Sequence, residues 1–174
     1  MSEKQLARLQ EIVCQSDPPL FITPQCQGGL LLMGRFYNDI IFPGSRVTAG
    51  PHFYCQSVQV VGQLQLTKVQ DNDQREQSRQ HRIQDIKAIQ RILKVPDREQ
   101  RACLIVNLLC RRLGLSAART LSPNVVAQLV FANPAQVYEA YRSYEKSLSG
   151  LAISGRLGDA AALAWQRRQY QDAP

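Results

Sequence analysis

The hydrophobic period of this chain changes near Gln70, and that change limits the folds open to it. Before it, Val58, Val60, Leu64 and Leu66 alternate with Gln59, Gln63 and Gln65, a period of two that marks half-buried strands. After it, Ile83, Ile86, Ile89, Ile92 and Leu93 recur at helical spacing from His81 to Lys94. Upstream, glycine and proline punctuate the short apolar runs "PPLFITP", "GGLLLMG" and "NDIIFPG". The expected class is α+β. A small antiparallel β unit occupies residues 1–70, behind a first helix of about residues 3–14. A linker and a long helix follow over 71–95, and a helical unit over 96–174.

The polar stretch "QDNDQREQSRQ" before the helix reads as a linker or an exposed helix start. Ile86, Ile89 and Leu93 follow a-d-a spacing, which suits a parallel helix pair. Ile83, Ile86, Ile89 and Leu93 are therefore the expected dimerisation residues of a homodimer. The competing reading packs the same face on the β unit of its own chain.

Charge is unevenly spread. The net charge of +7 divides into five Lys/Arg against four Asp/Glu in residues 1–70, and sixteen against ten in 71–174. A basic half is the electrostatic footprint of a nucleic-acid contact, although a basic solvated surface has the same composition. The five cysteines are odd in number and contain no C-x-x-C pair, which argues against a disulfide framework. Cys103 and Cys110 fall within an apolar helix and read as small buried hydrophobes; Cys14 and Cys26 are open to oxidation chemistry. Neither His52 nor His81 completes a zinc spacing, so no metal or cofactor is expected. No run of eighteen apolar residues occurs, and "MSEKQLARLQEIVCQSD" lacks the apolar centre of a signal peptide. These features read as a soluble, cytoplasmic protein without membrane contact.

Val95-Pro96 breaks the long helix, and Asp97 opens another, with Gln100 three residues on as in a capping box. Its apolar face of Ala102, Ile105, Val106, Leu109 and Leu113 ends at Gly114. Ser122-Pro123 starts a short helix with Val126 and Leu129 inward, and Asn133-Pro134 repeats that start signal. Two helices separated by about three residues are a helix-turn-helix by geometry. Gly150, "LAI", a turn at Ser154-Gly155 and "RL" then suggest a β wing, and "DAAALAWQ" a last helix anchored by Trp165 and followed by Arg167 and Arg168.

From His81 to Trp165 this order of parts resembles the Crp/Fnr superfamily of dimeric transcription regulators. "REQRACLIVNLLCRRLGL" and "GDAAALAWQRRQ" look most like its cyanobacterial nitrogen-control branch. The resemblance implies a truncated jelly-roll-like β domain, a dimerisation helix and a C-terminal winged helix-turn-helix. Fewer residues precede the linker than eight strands with turns require, and the elements that hold a cyclic nucleotide are not visible. Laid over the family pattern, Pro134, Ala135 and Glu139 fall at base-reading positions. None is a strong guanine reader. Glu139 could accept from a cytosine amino group and Gln136 could reach an adenine or a phosphate. Asn133, Arg142, Lys146 and Arg156 suit phosphate contacts, and Ser143 completes the candidate DNA-binding set. Arg111, Arg112 and Arg119 flank the junction before it. Val137, Tyr141, Tyr144 and Leu148 are expected on the inward face.

The expected function is DNA-binding transcription regulation by a homodimer on a twofold-symmetric site in double-stranded DNA. RNA polymerase or a regulatory protein is a further partner class that this reading allows. The alternative is a non-enzymatic interaction or assembly module that retains the fold without reading sequence. No nucleophile, acid–base pair or phosphate-binding glycine loop supports an enzyme.

Overall fold

The computed structural model describes residues 19–47 and 55–154. The expected helix over residues 3–14, Cys14, His52, Arg156, Trp165, Arg167 and Arg168 lie outside the described residues.

Among the described residues, five strands form two antiparallel sheets. β1 (Leu20–Ile22) pairs with β5 (Leu66–Lys68), and β2 (Gly28–Gly34) lies between β3 (Asn38–Ile41) and β4 (Cys55–Gly62). The continuous apolar run "GGLLLMG" is explained by this central position. Leu31 and Met33 face a core shared with the helices, while Leu30 and Leu32 face a second core beneath β1 and β5. The same alternation sends Ile40 and Phe42 to the helices and Ile41 to the other side. The predicted strand face of Val58, Val60, Leu64 and Leu66 lies together in the second core. Each fully buried Leu or Ile contributes about 1.5–3 kcal/mol relative to exposure, so the sheet is held from both faces. Gly29 is required by close approach: a Cβ there would lie 2.6 Å from the Ile41 carbonyl oxygen and 3.0 Å from the Leu113 side chain.

Five helices follow among the described residues. α1 is Asn72–Leu93, α2 Arg98–Leu113, α3 Leu115–Ala118, α4 Pro123–Val130 and α5 Pro134–Ser154. The polar stretch before His81 is the first turns of α1, capped by Asp71, whose carboxylate accepts the backbone N–H of Gln74 at 2.7 Å. Asp97 caps α2 by accepting from the N–H groups of Glu99 and Gln100, and Gly114 ends it at φ 83°. All five expected core residues of α2 are buried. They pack with Leu31, Ile40, Phe42 and Val61 of the sheet segment and with Val126, Leu129, Val137 and Tyr141. The expected boundary at Val95-Pro96 therefore breaks a helix without dividing this core.

Two expectations are corrected. α5 runs on through Gly150 and the "LAI" segment to Ser154, where the composition suggests the first strand of a wing. A glycine costs a helix only about 1 kcal/mol, too little to stop one carried by its neighbours. Leu148, placed inward by its spacing, is 43% exposed, because the inward packing of α5 extends only as far as Tyr144 among the described residues.

Candidate nucleic-acid interface

The helix pair α4 and α5 is built from local start and stop signals. Ser122 caps α4 by accepting from the Val125 N–H at 3.3 Å, with Pro123 at the first helical position. Phe131 ends α4 in the left-handed conformation, φ 50° and ψ 43°, the one non-glycine residue with positive φ among those described. That conformation costs a side-chain-bearing residue about 1–2 kcal/mol. Its neighbours hold it there. The Ala132 N–H donates to the Ala127 carbonyl at 3.0 Å, and the Arg101 guanidinium donates to the Phe131 carbonyl at 2.8 Å and to the Val95 carbonyl at 2.8 Å. One arginine of α2 thus ties the turn between the two helices to the end of α1.

Asn133 and Gln136 form a reciprocal cap at the start of α5. The Asn133 side chain accepts from the Ala135 N–H at 2.9 Å, and the Gln136 side chain accepts from the Asn133 N–H at 3.0 Å. Both belong to the sequence-predicted DNA-binding set, and here both satisfy backbone donors that a helix start leaves open. Val137, Ala140 and Tyr141 face the core, and the Tyr141 hydroxyl donates to the Ala118 carbonyl at 2.9 Å. Burial pushes the Tyr141 hydroxyl well above its ordinary pKa, which keeps it a neutral donor.

The opposite face of α5 is a continuous exposed stripe of Pro134, Ala135, Tyr138, Glu139, Arg142, Ser143 and Lys146. Arg142 donates to Glu139 one turn back at 3.3 Å, an exposed pair that water and salt screen readily. Lys146 stands further along the same stripe. The fold therefore brings six of the seven predicted DNA-binding residues to one helix, two as its cap and four on its exposed face. Arg156 lies outside the described residues.

The arginines before this helix pair divide differently. Arg111 is exposed. Arg119 pairs with Glu145 and fastens α5 to the end of α3. Arg112 turns toward α1 and the sheet segment. It donates to Asp85 of α1 at 2.9 Å and to the Pro43 carbonyl at 3.2 Å, and its guanidinium lies 5.5 Å from the centre of the Phe42 ring. Asp85 also accepts from the Ser45 hydroxyl at 2.5 Å. Arg82 donates to the Ile40 carbonyl at 3.0 Å and pairs with Asp39, and His81 lies 3.2 Å from the Gly44 carbonyl through Nδ1. This polar set, with Ser45, Arg82 and Asp85 buried and Asp39, His81 and Arg112 partly so, joins α1, α2 and the segment 39–45. Burial pushes the Asp85 carboxyl above its ordinary pKa, while Ser45, Arg112 and Arg82 pull it back down. Sequence periodicity misses this set because charged residues on a helix read as solvated. The one signal in the sequence is that Arg82 and Asp85 fall beside Ile86 and Ile89 rather than opposite them.

The predicted dimerisation face is divided. Ile89 and Leu93 pack, partly buried, against the core of their own chain, and Ile92 is buried in it. Ile83 is half-buried, and Ile86 is 37% exposed.

Among the described residues no group of three His, Cys, Asp or Glu is arranged for a metal, and no helix is long and apolar enough to cross a membrane. No protein-family model, curated protein or solved structure matches this chain.

Proposed function

We propose that this chain is a DNA-binding transcription regulator of the Crp/Fnr type, acting in the cytoplasm as a homodimer on a twofold-symmetric site in duplex DNA. The observation that carries the reading is the α4–turn–α5 pair. Its second helix is held by the core along one side and presents Tyr138, Glu139, Arg142, Ser143 and Lys146 along the other. An α-helix so presented has the dimensions of the major groove. Arg142 and Lys146 supply phosphate contacts, and the exposed Glu139–Arg142 pair opens readily in favour of a phosphate partner. With Asn133 and Gln136 engaged in capping, base reading falls to Glu139 and Ser143, and affinity is dominated by the backbone.

Fluorescence anisotropy with labelled promoter fragments from the native genome tests this. Binding should fall steeply with salt, and Arg142→Ala should weaken it and reduce the slope of log K against log salt by about 1. Absence of binding at low salt overturns the proposal.

A second reading is favoured by the character of the stripe itself. Pro134, Ala135 and Tyr138 lead it, and these suit a protein surface as well as a groove. Nuclease-resistant capture of a stoichiometric protein partner, lost in Tyr138→Ala, would support that interaction module instead.

A further inference from the structure

The turn between β2 and β3 places Arg35, Phe36 and Tyr37 at the surface, with Phe36 75% exposed and Tyr37 46% exposed. Two adjacent exposed rings at a strand turn are unusual, since aromatic side chains gain most from burial. The turn is well defined. Gly34 donates to the Tyr37 carbonyl at 3.1 Å, and Met33 stands opposite Asn38 in the ladder, which leaves Arg35 and Phe36 as the two-residue tip.

Its position matters more than its composition. The Asn38 amide donates to the Gln128 side chain of α4 at 2.8 Å, so the base of the turn is fixed to the last helical turn of α4. Gln128 lies five residues before Asn133, which caps α5, and in a helix-turn-helix the start of the second helix is the part that meets base edges. The charge is also suited to a polyanion. The Arg35 guanidinium lies 5.4 Å from the centre of the Phe36 ring, residues 33–38 contain no acid, and the next residue, Asp39, is paired with Arg82.

We infer that the Arg35-Phe36 tip is a second contact with duplex DNA, in which the Phe36 ring wedges between base steps of the minor groove while Arg35 meets the backbone or the groove floor. The inference rests on the DNA-binding reading above. Apolar side chains inserted in this way unstack a base step and bend the duplex, and an adjoining arginine is drawn to the negative potential of the minor groove.

The test uses the full chain and a promoter duplex carrying 2-aminopurine at successive positions. Binding should raise 2-aminopurine fluorescence at one or two steps, as unstacking does. Phe36→Ala should abolish that rise and weaken binding about tenfold with the salt slope unchanged. Arg35→Ala should lower the slope by about 1, and Phe36→Leu, which keeps an apolar wedge, should restore part of the fluorescence. Because Phe36 is exposed, these variants should fold, which circular dichroism checks. Duplex binding by the parent with Phe36→Ala indistinguishable from it overturns this inference and leaves the proposed function standing. No duplex binding by the parent overturns both. A shift of Phe36→Ala from dimer to monomer in sedimentation, with unchanged DNA contacts per protomer, assigns the ring to a second copy of the chain and overturns the inference.

Discussion

Arg112 of α2 donates to Asp85 of α1 at 2.9 Å, and through this pair the helices are joined to the segment that leaves β3, because Asp85 also accepts from Ser45 and Arg112 also donates to the Pro43 carbonyl. Removing Asp85 leaves the partly exposed Arg112 guanidinium without its ion pair and the buried Ser45 hydroxyl without its acceptor. Asp85→Ala should destabilise the fold by about 3 kcal/mol, the lower end for a broken buried pair because Arg112 keeps partial access to water. Urea denaturation measures the change. A loss below about 1 kcal/mol would show the pair to be dispensable.

The same residue sets a pH dependence. The folded chain holds the Asp85 proton more tightly than the unfolded chain, chiefly because burial disfavours the charged form. Its contribution to stability is therefore fully present below the unfolded pKa and is lost as pH rises through the higher folded value. Asp85→Asn keeps the shape, with an amide able to accept from Arg112 and donate to Ser45, and removes the titration. Urea midpoints across the acidic range should show that component of the slope in the parent and not in the Asn variant; equal slopes would count against it.

Cys110 is buried in the helical core and its thiol is pushed up to about 12, chiefly by burial. Burial raises the half-buried Cys103 as well. The thiolate is the reactive form, so Cys110 should resist a maleimide at about pH 8 in the native protein and react fully in denaturant. Mass mapping of the labelled peptides reads this directly. Rapid native labelling of Cys110 would mean that α2 opens from the core.

The reciprocal cap at the start of α5 should be visible as non-additivity. Asn133→Ala should cost about 1 kcal/mol, and Gln136→Ala less. The double variant should cost less than the two losses combined, because losing either bond frays the first turn that holds the other in place. Additive losses would show that the two arms act independently.

Phe131 adopts left-handed geometry with 62% of its surface exposed. Phe131→Asn, which tolerates that conformation, should raise stability by about 0.5–1 kcal/mol, whereas the β-branched Phe131→Val should lower it. Thermal unfolding separates the two. If both variants are equally stable, the backbone at this turn is under no strain.

The amino-acid sequence by itself determines the local signals. Asp97, Ser122 and Asn133 sit where helices begin, Gly114 sits where one ends, and the alternation of Val58, Val60, Leu64 and Leu66 places one face in one core. These features act within a few residues, through a backbone donor or a repeating side-chain direction, and so are written in consecutive positions. The start of α1 is half legible, since Asp71 caps it within a stretch whose polarity reads equally as linker. The exposed face of α5 follows from its spacing, but the engagement of Gln136 in capping depends on where its amide points.

The remaining features depend on partners distant in sequence. Arg112 reads as a surface cation until Asp85 and Pro43 meet it, and the spacing of Ile89 and Leu93 does not reveal that they also pack, partly buried, against the core of their own chain. The continuation of α5 past Gly150 likewise overrides a turn-like composition. A sequence states which side chains seek burial or charge compensation. Which of them meet is determined when sheet and helices pack, because burial and ion pairing carry no information about the separation of their partners along the chain.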